Sequence, residues 1–225
     1  MQNIGLFGGT FDPIHNGHLQ IAESIIEQLK FQQIIFIPNN IPPHRDQPGA
    51  SAEQRAYMLN LALKNSNLAK LTVDLIELKR LGKSYTIDTV LDFKNKYPDA
   101  TLWLIIGLDA FSDLHHWHNY ELLTQSCNFL IINRELKNVT PSEWSKEYLK
   151  QKQIFNFNEY STQKEFGYVY MSDIDLIDIS ASYIRTLLKD VYNNPVQANQ
   201  ALSQLNKLLS KDVLDYIIKN RLYSQ

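Results

Sequence analysis

Ile4-Gly5-Leu6-Phe7-Gly8-Gly9-Thr10-Phe11-Asp12-Pro13-Ile14-His15-Asn16-Gly17-His18 is the stretch on which the fold turns. Ile4 to Phe7 is a short apolar run of the kind that forms a buried strand. It ends on Gly8 and Gly9, which let the main chain approach a ligand closely and turn its amides toward it. Beyond His18, the residues Ile21, Ile25, Ile26 and Leu29 recur at helical spacing and share one face. Strand, glycine loop and helix therefore follow one another directly. Asn16 is the expected N-cap of that helix. A helix start carries free N–H groups and partial positive charge, so it favours an anion such as phosphate. With the helix begun, His15 and His18 share a face and add two imidazole donors.

The same alternation continues downstream. Residues 34–37 read as a second strand, stopped by Pro38, and 51–65 as a second helix with Ser51 and Gln54 at capping-box spacing. Residues 71–78 read as a third strand and 86–96 as a third helix, ended by Pro98, with Ser84 and Thr86 as expected caps. Residues 102–106 form a fourth strand, apolar throughout as a strand covered on both faces should be. Residues 129–132 and 168–171 are the fifth and sixth, and the pattern is helical from Ser180 onward. The stretch 137–166 is polar, aromatic and irregular, and reads as an insertion with some helix. Helices at 197–209 and 210–222 are amphipathic and carry no chemical signal. The expectation is an α/β fold: a Rossmann-like, doubly wound parallel sheet over 1–190 with a small C-terminal helical extension over 191–225. In such sheets ligands bind beyond the carboxyl ends of the strands.

Bulk properties narrow the class. The 225 residues are 44% hydrophobic and 20% charged, enough for one substantial core. The formal net charge of -2 gives no basic field, so nucleic acid is not the expected partner. The one cysteine, Cys127, excludes an internal disulfide and, flanked by a strand, reads as a buried core thiol. No signal-like segment or membrane-length apolar run occurs, so the expected location is the cytoplasm, away from membranes.

Polar groups gather after the strands. Asn39-Asn40-Ile41-Pro42-Pro43-His44-Arg45 follows the second strand, where prolines stiffen a loop and His44 and Arg45 offer donors to a phosphate. Ser84-Tyr85-Thr86 opens the third helix. Gly107-Leu108-Asp109 follows the fourth strand, with Asp109 either capping a helix or accepting from ribose hydroxyls. Ile179-Ser180-Ala181-Ser182-Tyr183-Ile184-Arg185 places two hydroxyls, free amides and a guanidinium at one helix start, a natural anion cradle. Three other signals are weak. The first loop is not G-x-G-x-x-G. Gly82-Lys83-Ser84 ends like a Walker motif, but Glu77 stands where its first glycine belongs. His115, His116 and His118 lack carboxylates or cysteines in register, and His15 with His18 lacks a third ligand, so no protein-built metal site is expected.

Gly9-x-Phe-x-Pro-x-His-x-Gly-His, directly after Gly8, resembles the signature of the H-x-G-H adenylyl- and cytidylyltransferases. The fuller Gly-Gly-Thr-Phe-Asp-Pro string, with Pro-Pro-His, Ser-Tyr-Thr, Trp117 and Ile-Ser-x-Ser-x-Ile-Arg, is similar to the bacterial nicotinate mononucleotide adenylyltransferases. Ser182 stands where that family has threonine, and His118 where it often has tyrosine. The resemblance implies transfer of AMP from ATP to nicotinate mononucleotide, with His15, His18 and Arg185 as catalytic residues. It implies an ATP side made by Gly8, Gly9, Thr10, Phe11, His15, His18, Gly107, Asp109, Ile179, Ser180, Ser182 and Arg185. The mononucleotide side would use Asn40, His44, Arg45, Thr86, Trp117 and His118, the last through its main chain. Mg²⁺ would be bound mainly through the ATP phosphates. Two readings stay open beside it: nicotinamide mononucleotide or pantetheine phosphate as acceptor, and a nucleotide-binding regulatory domain without turnover. Oligomeric state is open.

Overall fold

A computed structural model describes residues 2–40, 48–64, 69–132, 141–160, 165–174 and 179–225. The first strand, β1 (Gln2–Gly9), leads through the glycine loop into α1 (Asn16–Leu29), and β2 (Gln33–Pro38) follows. Then come α2 (Ala52–Lys64), β3 (Leu71–Val73), α3 (Ile76–Lys79), α4 (Thr86–Lys96) and β4 (Ala100–Gly107). After β4 lie α5 (Leu108–Ser112), a 3₁₀ turn (Leu114–His116), α6 (Tyr120–Thr124) and β5 (Asn128–Ile132). The inserted stretch gives α7 (Glu143–Lys152), β6 (Gln153–Ile154) and α8 (Phe157–Tyr160), and the sheet is completed by β7 (Val169–Ser172). The chain ends in α9 (Ala181–Asn193), α10 (Ala198–Leu208) and α11 (Lys211–Lys219).

The strands stand in the order β3-β2-β1-β4-β5-β7-β6 and every pairing is parallel. Order runs outward from β1 through β2 on one side and from β4 on the other. The crevice between the carboxyl ends of β1 and β4 is therefore the topological switch point, where such sheets take their ligands. Two cores cover the two faces. One joins Ile21 and Ile25 of α1 to Ile184, Leu205, Leu214 and Ile217 of the C-terminal helices. The other joins Ile4 and Leu104 to Val90, Phe111 and Cys127. Each large apolar side chain taken fully from water contributes about 1.5–3 kcal/mol before entropy is charged against it. Among the described residues no helix is long and apolar enough to cross a membrane.

The doubly wound parallel sheet matches the sequence expectation, and Cys127 is wholly buried, its thiol pushed up to about 12 by burial. Three local expectations need correction. The third strand stops at Val73, because Asp74 Oδ1 accepts from the amide of Ile76 at 3.1 Å and starts α3 where strand was expected. Helix α1 is capped at His15, and Asn16 instead donates its side-chain amide to the Lys207 carbonyl at 2.9 Å. Neither Ser84 nor Thr86 caps α4, whose N-cap is Tyr85 without a side-chain bond. The insertion carries helix as expected, in α7 and α8, and adds an edge strand, β6, in parallel register with β7.

Candidate active site

The first loop is shaped by aromatic packing. Phe11 sits at φ 50°, in the left-handed region, and its ring lies edge-on to Phe7 at 5.8 Å between centroids. His18 fits between them, 5.2 Å from Phe11 and 6.1 Å from Phe7. The imidazoles of His15 and His18 stack at 3.7 Å. The His15 amide donates to His18 Nδ1 at 3.3 Å. With Nδ1 accepting, a neutral His18 carries its proton on Nε2 and keeps it as a donor. Gly17 leaves room for the His15 ring, since a Cβ there would stand 3.1 Å from His15 Nδ1, a tight contact.

The start of α9 comes to the same place. Ser180 caps it, accepting from the Tyr183 amide at 3.1 Å, and Ile179 packs against Gly17. Arg185 donates from Nη2 to Ser182 Oγ at 3.1 Å and from Nη1 to the Asp12 carbonyl at 2.7 Å. The first loop and the first turn of α9 thus share a guanidinium.

A cleft of about 340 Å³ opens over the ends of β1 and β4, lined by Gly8, Thr10, His18, Gly107, Asp109 and Trp117 among others. Beside it lies a chamber of about 90 Å³ that includes Thr86, Thr89 and Glu77. Gly8, Gly9, Asn39, Ile106 and Trp117 line both, so the two spaces share one wall. A Cβ on Gly8 would meet no protein atom within 4 Å, so a side chain there would stand in open space. Tyr85 stacks on the exposed ring of His118 at 4.1 Å, tying the start of α4 to the segment after the 3₁₀ turn.

The structure brings together Gly8, Gly9, Thr10, Phe11, His18, Gly107, Asp109 and Trp117 in the larger space and Thr86 in the smaller. His15, Ile179, Ser182 and Arg185 stand on the loop and helix beside them. The side chain of Ser180 is spent on its cap. Asn40 contributes a carbonyl, while His44 and Arg45 lie outside the described residues. His115 and His116 have structural surroundings instead: His115 stacks on Trp144 at 5.4 Å, and His116 Nδ1 meets Asp113 Oδ1 at 2.6 Å. Among the described residues no three His, Cys, Asp or Glu side chains are grouped to hold a metal ion.

Two supporting cations, Arg55 and Arg80, carry no mark in the sequence. Arg55, 1% exposed, donates to the carbonyls of Thr10 at 2.6 Å and of Asn39 and Asn40 at 2.8 Å each. It pins the ends of β1 and β2 together. Burial pulls its pKa down, while Asp12 and Tyr223 push it back up. Arg80 donates from Nη1 to Ser84 Oγ at 2.6 Å and Thr89 Oγ1 at 2.7 Å, and pairs through Nη2 with Asp92. Glu77 accepts from the Thr89 hydroxyl at 2.7 Å, and burial raises its pKa. Asp12, 7% exposed, is only part of the loop string in the sequence, yet it gathers contacts from three distant segments.

Residues 6–187 match the model of the cytidylyltransferase-like family. A protein of Psychromonas ingrahamii named "Probable nicotinate-nucleotide adenylyltransferase" is 36% identical over 99% of this chain and 97% of its own. One of the same name from Clostridium acetobutylicum is 35% identical over 99% of this chain and 100% of its own. In structure, the chain is similar to the Plasmodium falciparum nicotinic acid mononucleotide adenylyltransferase complexed with NaAD. The TM-score is 0.73 and the identity 22%, over 99% of this chain and 98% of that one.

Proposed function

This chain belongs to the cytidylyltransferase-like family and to its nicotinate-nucleotide adenylyltransferase branch, and from that premise we propose that it transfers AMP from ATP to nicotinate mononucleotide, giving deamido-NAD and pyrophosphate. The observation that carries the proposal is the shared wall of the two spaces. Gly8, Gly9, Asn39, Ile106 and Trp117 set the histidine side and the Thr86 side of the cleft back to back. A nucleotide and a mononucleotide bound on either side would meet at the glycines.

The reaction needs no protein nucleophile. The mononucleotide 5′-phosphate, with a second pKa of about 6, is already ionised at neutral pH. One of its oxygens forms the new bond to the α-phosphorus of ATP as the bond to the β-phosphate oxygen breaks and pyrophosphate leaves with that electron pair. The protein aligns the two and stabilises the added charge. The Nε2–H of His18 is the donor assigned to the α-phosphate, and His15 stacks against that ring to hold its plane. Arg185, Ser182 and the free amides at the start of α9 take the outer phosphates. Asp109, exposed at the rim, accepts from the adenosine ribose. Trp117 offers its face to the pyridine ring and the amide end of α4 near Thr86 its carboxylate.

The donors lining the cleft suit a metal that arrives with its nucleotide. They include one carboxylate, Asp109, and no grouped cage among the described residues. Mg²⁺ held by phosphate oxygens and water would neutralise charge on the leaving pyrophosphate. The single buried thiol suits the cytoplasm as the place of action.

Pyrophosphate release from ATP and Mg²⁺, measured with nicotinate mononucleotide, nicotinamide mononucleotide and pantetheine phosphate in turn, tests the assignment. The acid should give the highest kcat/KM. Preference for the amide would overturn the substrate, and silence with every acceptor would overturn the activity. His18→Ala should lower kcat by about 10²–10³, the scale of one lost transition-state donor. Near-normal turnover would remove His18 from the chemistry.

A further inference from the structure

The C-terminal helices carry no motif, yet the last of them delivers a side chain to the first loop. Beyond α11 the backbone enters the left-handed region at Arg221 (φ 49°) and again at Tyr223 (φ 64°). Non-glycine residues adopt that region rarely and in return for a contact. The contact is clear here. The ring of Tyr223 turns inward, 7% exposed, and its hydroxyl donates to Asp12 Oδ1 at 2.7 Å across 211 residues of sequence. Room for the ring comes from Gly49, where a Cβ would stand 2.8 Å from Tyr223 Cδ1.

Asp12 is the hub of this corner. Its Oδ1 also accepts from the Ala50 amide at 3.1 Å and its Oδ2 from the Gly49 amide at 2.8 Å. Arg185 Nη1 donates to the Asp12 carbonyl at 2.7 Å and lies 3.9 Å from Oδ2. The buried cation of Arg55 also acts on the Asp12 charge. Burial and the Asp12 carboxylate both push the Tyr223 hydroxyl up, so it stays protonated and stays a donor. One carboxylate therefore binds the amides before α2, the C-terminal tyrosine and the guanidinium of α9, from a position three residues before His15.

We propose that Asp12 and Tyr223 are a positioning pair: the tail of the chain fixes the Asp12 corner, and through it the aim of Arg185 at the outer phosphates of ATP. Neither residue need touch the nucleotide. The proposal rests on the ATP role given to Arg185 above. Its geometric basis is that Arg185 spends one nitrogen on the Asp12 carbonyl and one on Ser182, which fixes the fork in one orientation.

Two variants test it, each compared with the wild type by direct ATP titration and by steady-state kinetics with Mg²⁺. Tyr223→Phe keeps the ring and removes only the hydroxyl. Asp12→Asn keeps an acceptor and removes the charge facing Arg185. Both should weaken ATP binding and raise its KM by roughly fivefold to tenfold, the range of one lost buried hydrogen bond. The KM of the acceptor should stay within about twofold, because its side of the cleft lies across the shared wall. A merely structural pair would lower the melting temperature and leave that split absent. Variants that bind ATP like the wild type, or that lose both substrates equally, overturn the proposal. A wild type that binds no ATP overturns the nucleotide reading itself, and the proposal with it. Should Asp12→Asn fail to fold, Tyr223→Phe decides alone.

Discussion

A methyl group on Gly8 would touch no protein atom within 4 Å, and the backbone there is not in the left-handed region. Protein packing therefore does not require a glycine at this position, which lines both spaces of the cleft. Gly8→Ala should leave the melting temperature unchanged or slightly raised, since alanine restricts the unfolded chain. The KM of both substrates should rise by about tenfold, because Gly8 lines both spaces. Thermal denaturation with steady-state kinetics checks the pair of outcomes, and a large fall in stability with normal KM would contradict it. Gly17→Ala is expected to act differently. Its Cβ presses on His15 at 3.1 Å, so kcat should fall more than KM rises. Gly8, His15, Gly17 and His18 were legible because the site's logic there is local: strand, turn and helix start follow each other in sequence. Asp12 was not legible in its role, because its partners lie 37 to 211 residues away and no periodicity links them.

The short helix α3 and the start of α4 form a second local unit, held by Arg80. Its guanidinium bridges Ser84 and Thr89, so it sets the turn that presents Thr86 to the smaller space. Arg80→Ala should raise the KM of the mononucleotide by about tenfold while the KM of ATP stays within about twofold, by steady-state kinetics. Glu77, half-buried in the same unit, gives it a pH dependence. Burial raises its pKa, so the folded state favours the protonated form. The stability it contributes is complete at low pH and is lost as pH climbs from the ordinary carboxylate range through the raised value. Glu77→Gln removes that loss. The variant's urea midpoint relative to wild type should therefore be higher at pH 7 than at pH 4. The apolar residues of 71–78 predict a strand over the whole run. Asp74 overrode that pattern with a single side-chain bond to the Ile76 amide, a choice that propensity weighs poorly.

Across the whole molecule, the sheet order could be anticipated as a doubly wound class from strand–helix alternation, but not strand by strand. The place of β6 beside β7 depends on pairing between the insertion and the main sheet, which no local pattern encodes. Arg55 shows the same limit: a lone cation on α2 gave no hint that it would sit wholly buried and clamp two strand ends. Arg55→Met should cost about 2–5 kcal/mol of unfolding free energy in urea at pH 7, since it strands three carbonyls in the interior. A loss under about 0.5 kcal/mol would show that water replaces the guanidinium. The disposition of the tryptophans has an optical consequence. Trp103 is sealed in the core with its indole N–H on Asn3 Oδ1, and Trp144 is packed among Phe111, His115 and Tyr148. Trp117 stands in the wall between the two spaces. The intrinsic fluorescence of the protein should therefore report occupancy of the cleft through one residue. Ligand-induced quenching that survives Trp117→Phe would mean that the emission comes from elsewhere.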